Sequence, residues 1–364
     1  MTPPARVLMG PGPSDVSPRV LEALSRPTVG HLDPYFLRLL DETQSMLREV
    51  FGTKNSLTLP ISATGSAGME TCFVNLLEAG DRALICRHGV FGGRMAEVAR
   101  RCGAEVAVVD APWGRAIDPD DVARIANGGT FKVLALVHAE TSTGVLQDLS
   151  PFRAIADSCG ALLVVDAVTS LGGVAVDVDR MGIDAVYSGT QKCLSCPPGL
   201  SPVSFSERAQ RVLENRKTPV QSWYFDLTLI GRYFGTERVY HHTAPVNMIY
   251  ALHESLRLVL EEGLDARYRR HRDHARALWA GLERIGIALP VESSVRLPPL
   301  TLARIPTGAD DHEVRARLLD EHGLEIGGGL GEFAGKAWRI GLMGASSTPR
   351  HIELCLGALE EALG

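Results

Sequence analysis

Short apolar runs alternate with amphipathic stretches between residues 56 and 206, and this pattern organises most of the chain. Runs of this kind, bounded by glycine and polar residues, are typical of strands that are buried on both faces. The predicted strands are residues 56–62, 82–87, 105–110, 132–139, 161–166 and 184–188. The predicted helices between them are residues 66–78, 93–102, 119–126 and 151–158. Strands that alternate with helices indicate βαβ units, so we expect an α/β domain with a mainly parallel sheet.

The segments on either side of this region follow other patterns. Proline and glycine at residues 3–4 and 10–14 disfavour regular structure, and a capping residue followed by proline predicts helices from Pro18 and from Pro34. Residues 216–227 are predicted to be irregular. Beyond residue 244 the predicted helices are 245–262, 265–285, 311–322 and 349–363, and the predicted strands are 300–305 and 337–342. The expected division is an N-terminal arm (1–25), a large domain (26–260) and a small α+β domain (261–364).

Two of the predicted strands end beside charged side chains. The first ends in Asp166, and Gly189-Thr190-Gln191 leads from the second to Lys192. In open α/β sheets, ligands bind beyond the carboxyl ends of the strands. A lysine beside apolar sequence can have a lowered pKa and act as an amine nucleophile, and a nearby carboxylate suits the ring nitrogen of pyridoxal 5'-phosphate (PLP). For the two residues alone, a helix cap and a solvated loop lysine are the alternative interpretation.

A loop of small residues follows the first predicted strand. Its sequence is Ala63-Thr64-Gly65-Ser66-Ala67-Gly68, and it opens a predicted helix. Small side chains let backbone N–H groups approach an anion at a helix N-terminus, where the helix dipole also favours negative charge. The loop matches neither GxxxxGK[ST] nor GxGxxG, so nucleoside triphosphates and dinucleotides are not indicated.

The stretch from Asp166 through Ser188-Gly189-Thr190-Gln191-Lys192 to Pro197-Pro198-Gly199 strongly resembles the class V aminotransferases of fold type I. The resemblance is strongest to the alanine–glyoxylate and serine–pyruvate branch, and it runs along nearly the whole chain. It implies an α/β fold with a seven-stranded, mainly parallel sheet in the large domain. It also implies PLP as the cofactor and a homodimer.

The same resemblance implies roles for individual residues. The implied cofactor-binding residues are Thr64, Gly65, Ser66, Phe91, Thr141, Asp166, Val168, Gln191, Lys192, Tyr240 and Thr243. Among them, Phe91 would stack on the pyridine ring, and Tyr240 and Thr243 would contact the phosphate bound by the opposite subunit, so the active sites would be shared. The implied substrate-binding residues are Gly12, Gly329 and Arg339. A guanidinium suits this role because its planar fork binds a carboxylate bidentately.

These roles imply a PLP-dependent transamination in which Lys192 binds the cofactor and moves a proton, and Asp166 holds the ring nitrogen. The expected substrates are a small amino acid (alanine or serine) and a small 2-oxo acid (glyoxylate or pyruvate). Ureidoglycine–glyoxylate and serine–glyoxylate transamination are the nearest alternatives. A lyase or cysteine desulfurase of the same fold is disfavoured, because Gln191 stands where desulfurases usually have histidine and no cysteine lies between residues 197 and 338. A non-catalytic homologue is disfavoured because Asp166, Lys192 and Arg339 are all present.

Composition excludes several other classes. The net charge of −6 gives no reason to expect binding to nucleic acid or to an anionic membrane. No apolar run reaches the roughly 18 residues that span a bilayer, and a cytoplasmic location is expected. Seven cysteines are scattered through the chain, which indicates reduced, packed thiols. Neither the Cys193–Cys196 pair nor the His241-His242 pair has the partners that a metal site needs, so no metal is expected.

Overall fold

The computed structural model describes residues 2–364 of the chain. The helices are α1 (Pro18–Leu24), α2 (Pro34–Phe51), α3 (Gly65–Leu76), α4 (Val90–Arg101), α5 (Pro119–Ala126), α6 (Phe152–Ser158), α7 (Val178–Met181), α8 (Glu207–Glu214), α9 (Leu227–Phe234), α10 (Val246–Glu262), α11 (Leu264–Arg284), α12 (Asp311–His322) and α13 (Pro349–Leu363). The strands are β1 (Val7–Leu8), β2 (Leu57–Ile61), β3 (Arg82–Arg87), β4 (Glu105–Asp110), β5 (Val133–Val137), β6 (Ala139–Glu140), β7 (Val145–Leu146), β8 (Leu162–Asp166), β9 (Ala185–Tyr187), β10 (Ser201–Phe205), β11 (Leu300–Arg304), β12 (Leu324–Glu325), β13 (Gly327–Gly328) and β14 (Ala337–Gly341).

A seven-stranded sheet of order β2-β10-β9-β8-β5-β3-β4 forms the centre of the large domain. Strands β3, β4, β5, β8 and β9 pair in parallel, and β10 is antiparallel to both of its neighbours. Strands β5 and β8 are buried along their whole length, as expected for strands that helices cover on both faces. The predicted mainly parallel α/β sheet is confirmed.

Strand β10 is the element of this sheet that the sequence pattern does not predict. It contains Pro202, and proline inside a run argues against a central strand because it has no N–H to donate. In the structure Pro202 lies directly opposite Pro60 of β2. Residues directly opposite each other in an antiparallel pair either both donate or both do not donate. Two facing prolines therefore occupy a position where the ladder between β2 and β10 needs no N–H group from either strand. Towards β9, where the Pro202 carbonyl accepts from Ser188 N, the Ser201 hydroxyl donates to the Ser188 carbonyl in place of the missing N–H.

The N-terminal residues pack against the C-terminal part of the chain. Strand β1, which lies between the two proline-rich segments, pairs in parallel with β12. Just beyond it, the Met9 carbonyl accepts a hydrogen bond of 2.7 Å from Gly341 N. The Ser14 hydroxyl then donates to the Lys192 carbonyl over 2.8 Å. The N-terminal segment therefore links the small C-terminal sheet, of order β11-β14-β13, to the loop after β9.

Apolar side chains form two main clusters. The larger cluster extends from Val20 to Val259 and surrounds the seven-stranded sheet. The smaller cluster combines Met9 with apolar side chains between Leu278 and Leu359. The seven cysteines, all within residues 2–364, are free and buried, as the sequence indicates. Among the helices described here, none has the length and apolar character that a membrane span requires.

Candidate active site

A cavity of about 220 Å³ lies at the carboxyl ends of the central strands, where ligands are expected in a sheet of this kind. The predicted residues that line it are Thr64, Gly65, Ser66, Phe91, Thr141, Asp166, Val168, Gln191 and Lys192. Residues from well-separated parts of the sequence therefore converge on one cavity. Its further lining residues are Met69, Arg94, Val137, Ala139, Thr169 and Tyr187.

Asp166 lies at the end of β8, in the floor of this cavity. Its side chain is buried, and its two oxygens accept separate hydrogen bonds: Oδ1 from Val168 N and Oδ2 from the Tyr187 hydroxyl, each over 2.8 Å. Burial raises the pKa of Asp166 to about 7, although both hydrogen bonds oppose the rise because they stabilise the carboxylate. Asp166 has no salt bridge within residues 2–364. A cationic group in the cavity would therefore find a carboxylate without a counter-charge.

Lys192 lies in the loop that follows β9. Its ammonium donates to the Pro11 carbonyl of the N-terminal segment. Burial, together with the positive charge of Arg339, lowers the pKa of Lys192 to about 8. The neighbouring Gly12 has a φ of 99°, and a Cβ there would lie 2.5 Å from Lys192 Nζ. Gly12 is therefore required by the close approach of the backbone to the amine, which the sequence alone does not reveal.

Helix α3 begins at the predicted anion-binding loop, with Thr64 as its N-cap. The Gly65 and Ser66 N–H groups belong to the first turn, where a helix offers no carbonyl partner. The absence of a side chain matters at Gly65, because a Cβ there would lie 3.1 Å from Val168 Cγ2. The loop therefore presents backbone donors and hydroxyl groups to the cavity, which is the donor set that a phosphate needs.

Phe91 and Thr141 are connected through Glu140. The buried Glu140 carboxylate accepts hydrogen bonds from Phe91 N over 3.1 Å and from Ser142 N over 3.0 Å. The Ser142 hydroxyl also accepts a hydrogen bond from Val90 N over 2.9 Å. Burial raises the pKa of Glu140 despite these donors. Glu140 thus connects the start of α4, which carries the Phe91 ring, to the turn that carries Thr141, and this contact pattern indicates a structural role.

Arg339 lies on β14 of the small sheet and is partly buried. Its Nε donates to the Gly328 carbonyl over 2.7 Å, and burial lowers its pKa. Within residues 2–364, Arg339 forms no salt bridge, so its fork is available to an anionic ligand. At position 329 packing requires glycine, because a Cβ on Gly329 would overlap the Phe333 carbonyl oxygen.

Tyr240 and Thr243 do not line the cavity of their own chain. Both are exposed; the Tyr240 side chain is 56% exposed, and its ring centroid lies 5.2 Å from that of His31. Other large apolar side chains are exposed in the same segment, among them Trp223 at 61%. This segment therefore presents an aromatic surface rather than a wall of the cavity.

Two cavity residues of interest were not found from the sequence. Arg94 stands one turn after Phe91, and its guanidinium lies 4.9 Å from the centroid of that ring. Tyr187 is the residue that pairs with Asp166 in the register of β8 and β9. The sequence does indicate that the Tyr187 hydroxyl needs a hydrogen-bond partner, since it lies in an otherwise apolar strand. It does not indicate which residue is the partner, because that depends on β8 and β9 being neighbours in the sheet.

The side chains around the cavity fit the chemistry of PLP. Lys192 would supply a partly buried amine with a lowered pKa, Asp166 a buried carboxylate for the ring nitrogen, and the start of α3 donors for the phosphate. In addition, the buried Gln191 Oε1 has no hydrogen-bond partner within residues 2–364. A buried acceptor of this kind is expected where a bound group completes the site.

Comparison with known proteins gives the same assignment. Residues 8–333 match the family model described as aminotransferase class-V. The chain is 42% identical to the (S)-ureidoglycine–glyoxylate transaminase of Bacillus subtilis, over 99% of this chain and 91% of that protein, and 39% identical to the alanine–glyoxylate aminotransferase of Drosophila melanogaster, over 99% and 93%.

A solved structure, the alanine–glyoxylate aminotransferase from Nostoc sp., superposes with a TM-score of 0.99 at 48% identity, over 100% of this chain and 97% of that one. The family match covers most of the chain, and the relatives align over nearly its full length. The chain therefore belongs to the class V aminotransferases, and it is a PLP-dependent aminotransferase of fold type I.

Proposed function

We propose that the protein transfers an amino group between alanine or serine and a small 2-oxo acid, glyoxylate or pyruvate. The observation that carries this proposal is that Arg339 is near enough to Lys192 for its charge to lower the pKa of the amine, while Lys192 itself lines the cavity that contains Asp166. A carboxylate held by Arg339 would thus bring its own Cα and amino group near the lysine amine. The names of the relatives from Drosophila melanogaster and Nostoc sp. support alanine and glyoxylate as the pair.

The bound cofactor supplies an aldehyde that condenses with amines and a ring that withdraws electrons from the substrate's Cα. Lys192 then acts as a base and an acid, since an amine with a pKa of about 8 both accepts and returns a proton near neutral pH. Asp166 retains its negative charge best when a cation lies beside it, and it thereby keeps the ring nitrogen protonated. Phe91 and Val168 line the cavity and would keep water from the ring.

Arg339 fixes the substrate by its carboxylate. Its guanidinium is partly desolvated and has no carboxylate partner of its own within residues 2–364, so a bidentate ion pair with the substrate would be strong. The Pro11–Gly12 backbone occupies the space above Lys192 and limits the size of the substrate's side chain. We therefore expect small amino acids to be preferred to long or aromatic ones.

A second candidate is transfer from ureidoglycine to glyoxylate. The observation in its favour is the 42% identity to the Bacillus subtilis enzyme that carries this name, which is similar to the identity with the alanine–glyoxylate enzymes. The two candidates share the acceptor and differ in the donor. Turnover rates with each donor at a fixed glyoxylate concentration distinguish them.

The first test is the visible absorbance of the protein loaded with PLP. L-alanine should convert the spectrum to that of the pyridoxamine form, and glyoxylate or pyruvate should restore it. Repeating the titration with L-serine, glycine and (S)-ureidoglycine ranks the donors. A spectrum that no small amino acid changes would contradict the proposed donor, and a protein that does not take up PLP would contradict the assignment of the cofactor site.

We also propose a homodimer in which Tyr240 and Thr243 of one subunit complete the phosphate site of the other. The support is that both side chains are exposed, lie outside their own cavity and belong to an exposed aromatic segment with Trp223. Large exposed apolar surfaces of this kind are typical of subunit interfaces.

A mixing experiment tests the shared site. The inactive variants Lys192→Ala and Tyr240→Ala with Thr243→Ala should regain activity when they are unfolded and refolded together, because half of the sites in a mixed dimer contain neither defect. Sedimentation analysis establishes the assembly independently. A dimer that regains no activity on mixing would contradict the sharing but leave the dimer intact.

The division into an arm (1–25), a large domain (26–260) and a small domain (261–364) is part of the same proposal, and the two apolar clusters support it. A cytoplasmic location is supported by the seven free, buried thiols, since a reducing compartment keeps thiols in this state.

A further inference from the structure

The end of β9 contains a tyrosine that no part of the proposed reaction uses. Tyr187 is fully buried and lies opposite Asp166 in the parallel register of β8 and β9. Its hydroxyl donates a hydrogen bond of 2.8 Å to Asp166 Oδ2, and this is the bond through which its polar atom is satisfied. Desolvation of a buried hydroxyl is costly unless such a bond forms.

We propose that Tyr187 is a positioning residue that holds the Asp166 carboxylate ionised and directed at the ring nitrogen of PLP. The inference rests on the proposed role of Asp166 and is independent of the identity of the amino donor. It assigns to the β9 strand a function in the chemistry of the cofactor, in addition to its place in the sheet.

The geometry supports an orienting role. The two oxygens of Asp166 accept from different donors, Oδ1 from Val168 N and Oδ2 from Tyr187, so the plane of the carboxylate is fixed from two sides. Val168 N belongs to the backbone just after β8, and Tyr187 belongs to the neighbouring strand. A carboxylate with only one of these bonds could rotate about its Cβ–Cγ bond. Its oxygens would then no longer point towards the ring nitrogen of bound PLP.

Tyr187 also helps to keep Asp166 ionised, because its hydrogen bond lowers the pKa of the carboxyl group. Asp166 is faced by Cys72 of α3, Glu140 of β6, Lys192 and Tyr187. Glu140 raises the pKa of Asp166, whereas Lys192 and the Tyr187 hydrogen bond lower it. Burial and the nearby carboxylate raise the pKa of Tyr187 well above its ordinary value, so the phenol remains a donor throughout the working pH range.

Removal of this donor should shift one proton. Without the Tyr187 hydroxyl, the Asp166 carboxylate is less stabilised and therefore more basic. The proton shared between the ring nitrogen and Asp166 then moves from the nitrogen towards Asp166, and both groups become neutral. A neutral pair attracts the cofactor less than an ion pair does, and its ring withdraws electrons less strongly.

Tyr187→Phe is the direct test, because it removes one hydroxyl and retains the ring that packs in the core. The apoprotein variant should bind PLP about tenfold more weakly than the wild type, which corresponds to the loss of one hydrogen bond to a charged group. Binding of an analogue with a C–H group in place of the ring nitrogen should change by less than about twofold. Equal losses for both ligands, or no loss for PLP, would overturn the inference.

Tyr233→Phe is the matched control. Tyr233 is also fully buried, and its hydroxyl donates to the His31 carbonyl over 2.7 Å, away from the cavity lining. This variant should lose a comparable amount of stability and bind PLP as the wild type does. If it weakens PLP binding as much as Tyr187→Phe does, a general loss of packing explains both and the inference fails.

A spectroscopic measurement separates positioning from stability. The ¹⁵N NMR shift of the ring nitrogen, measured by solid-state NMR on the protein loaded with labelled PLP, should move towards the unprotonated value in Tyr187→Phe and stay unchanged in Tyr233→Phe. In an Asp166→Asn background, Tyr187→Phe should change neither this shift nor the PLP affinity by more than about twofold. Additive effects of the two substitutions would overturn the inference. A wild-type apoprotein that does not bind PLP would instead contradict the proposed cofactor site.

Discussion

Two groups of buried and partly buried charges lie near the loop that carries Lys192 and Cys193, and they are built differently. In the first group, Asp166 is buried and Lys192 is partly buried, and neither forms a salt bridge within residues 2–364. In the second group, Arg267 and Arg270 both pair with Glu262, at 2.5 and 2.6 Å. Burial of a charge is costly unless it is paired and hydrogen-bonded. The first group is therefore prepared for a ligand, and the second stabilises the fold.

The hydrogen bonds of the second group show what it stabilises. Arg267 donates to the Cys193 carbonyl over 2.6 Å, next to Lys192, and to the Gly172 carbonyl over 2.9 Å. Arg270 donates to the carbonyls of Gly344 and Ser347. The paired charges thus connect the loop that carries Lys192 to a loop after β14. A change in the first group should alter chemistry more than stability, and a change in the second group should do the reverse.

The largest effect is expected for Lys192→Ala. Loss of the amine removes both the covalent attachment of the cofactor and the group that moves the proton, so initial rates of transamination should fall at least about a thousandfold. The variant should be as stable as the wild type or more stable, because a partly desolvated amine without a salt bridge is removed. Initial rates and thermal unfolding of the apoproteins check this. A strongly destabilised variant would show that Lys192 is a structural residue.

Arg267→Ala should have the opposite profile. Glu262 keeps Arg270 as its partner, but two buried carbonyl groups lose their donor. At about 1–3 kcal/mol for each such group, we expect a loss of about 2–5 kcal/mol in the free energy of unfolding. Urea unfolding measures this loss. Arg101→Ala is the control, because Arg101 forms an exposed pair with Glu97, and its removal should cost less than about 0.5 kcal/mol. Similar losses in the two variants would contradict the comparison.

Asp166→Asn should stabilise the apoprotein at pH 8 while it weakens PLP binding. The folded-state pKa of Asp166 is raised to about 7, so the stabilisation from this group is complete below its unfolded pKa of about 4 and is lost as the pH rises to 7. The variant does not ionise and escapes this loss, which is on the order of 4 kcal/mol because the two pKa values differ by about 3 units. Urea unfolding of both apoproteins at pH 4 and pH 8 tests the sign. A larger advantage of the variant at pH 4 would refute it.

The smallest effect is expected in the pH dependence of cofactor uptake. Only the neutral Lys192 amine reacts, and its pKa is lowered to about 8 because of burial and Arg339. The rate at which the apoprotein captures PLP, followed by stopped-flow absorbance, should therefore rise about tenfold per pH unit below 8 and level off above it. A rise that continues to pH 10 would indicate an ordinary, solvated lysine.

Local sequence signals determined much of the fold. The bounds of α5, α12 and α13 agree with those predicted, because each helix begins at a side chain that caps it: Asp118, Asp310 and Thr348 accept from backbone N–H groups of the first turn. The buried strands of the central sheet were also predicted from local sequence, since a short continuous apolar run is typical of a strand that is buried on both faces. Strand β10 and helix α9 were not predicted. Pro202 argues against a strand at β10, and the residues before α9 show no apolar periodicity that would indicate the start of a helix.

The candidate site divides in the same way. The sequence by itself identified Asp166, Lys192 and the Thr64–Ser66 loop, because each directly follows a strand or opens a helix. Only the tertiary structure placed the Tyr187 hydroxyl on Asp166 and the backbone of Gly12 against Lys192, which lies about 180 residues further along the chain. Periodicity and caps act over a few residues and can be found in a linear sequence. Contacts between distant residues depend on strand order and loop paths, which the packing of the whole chain decides.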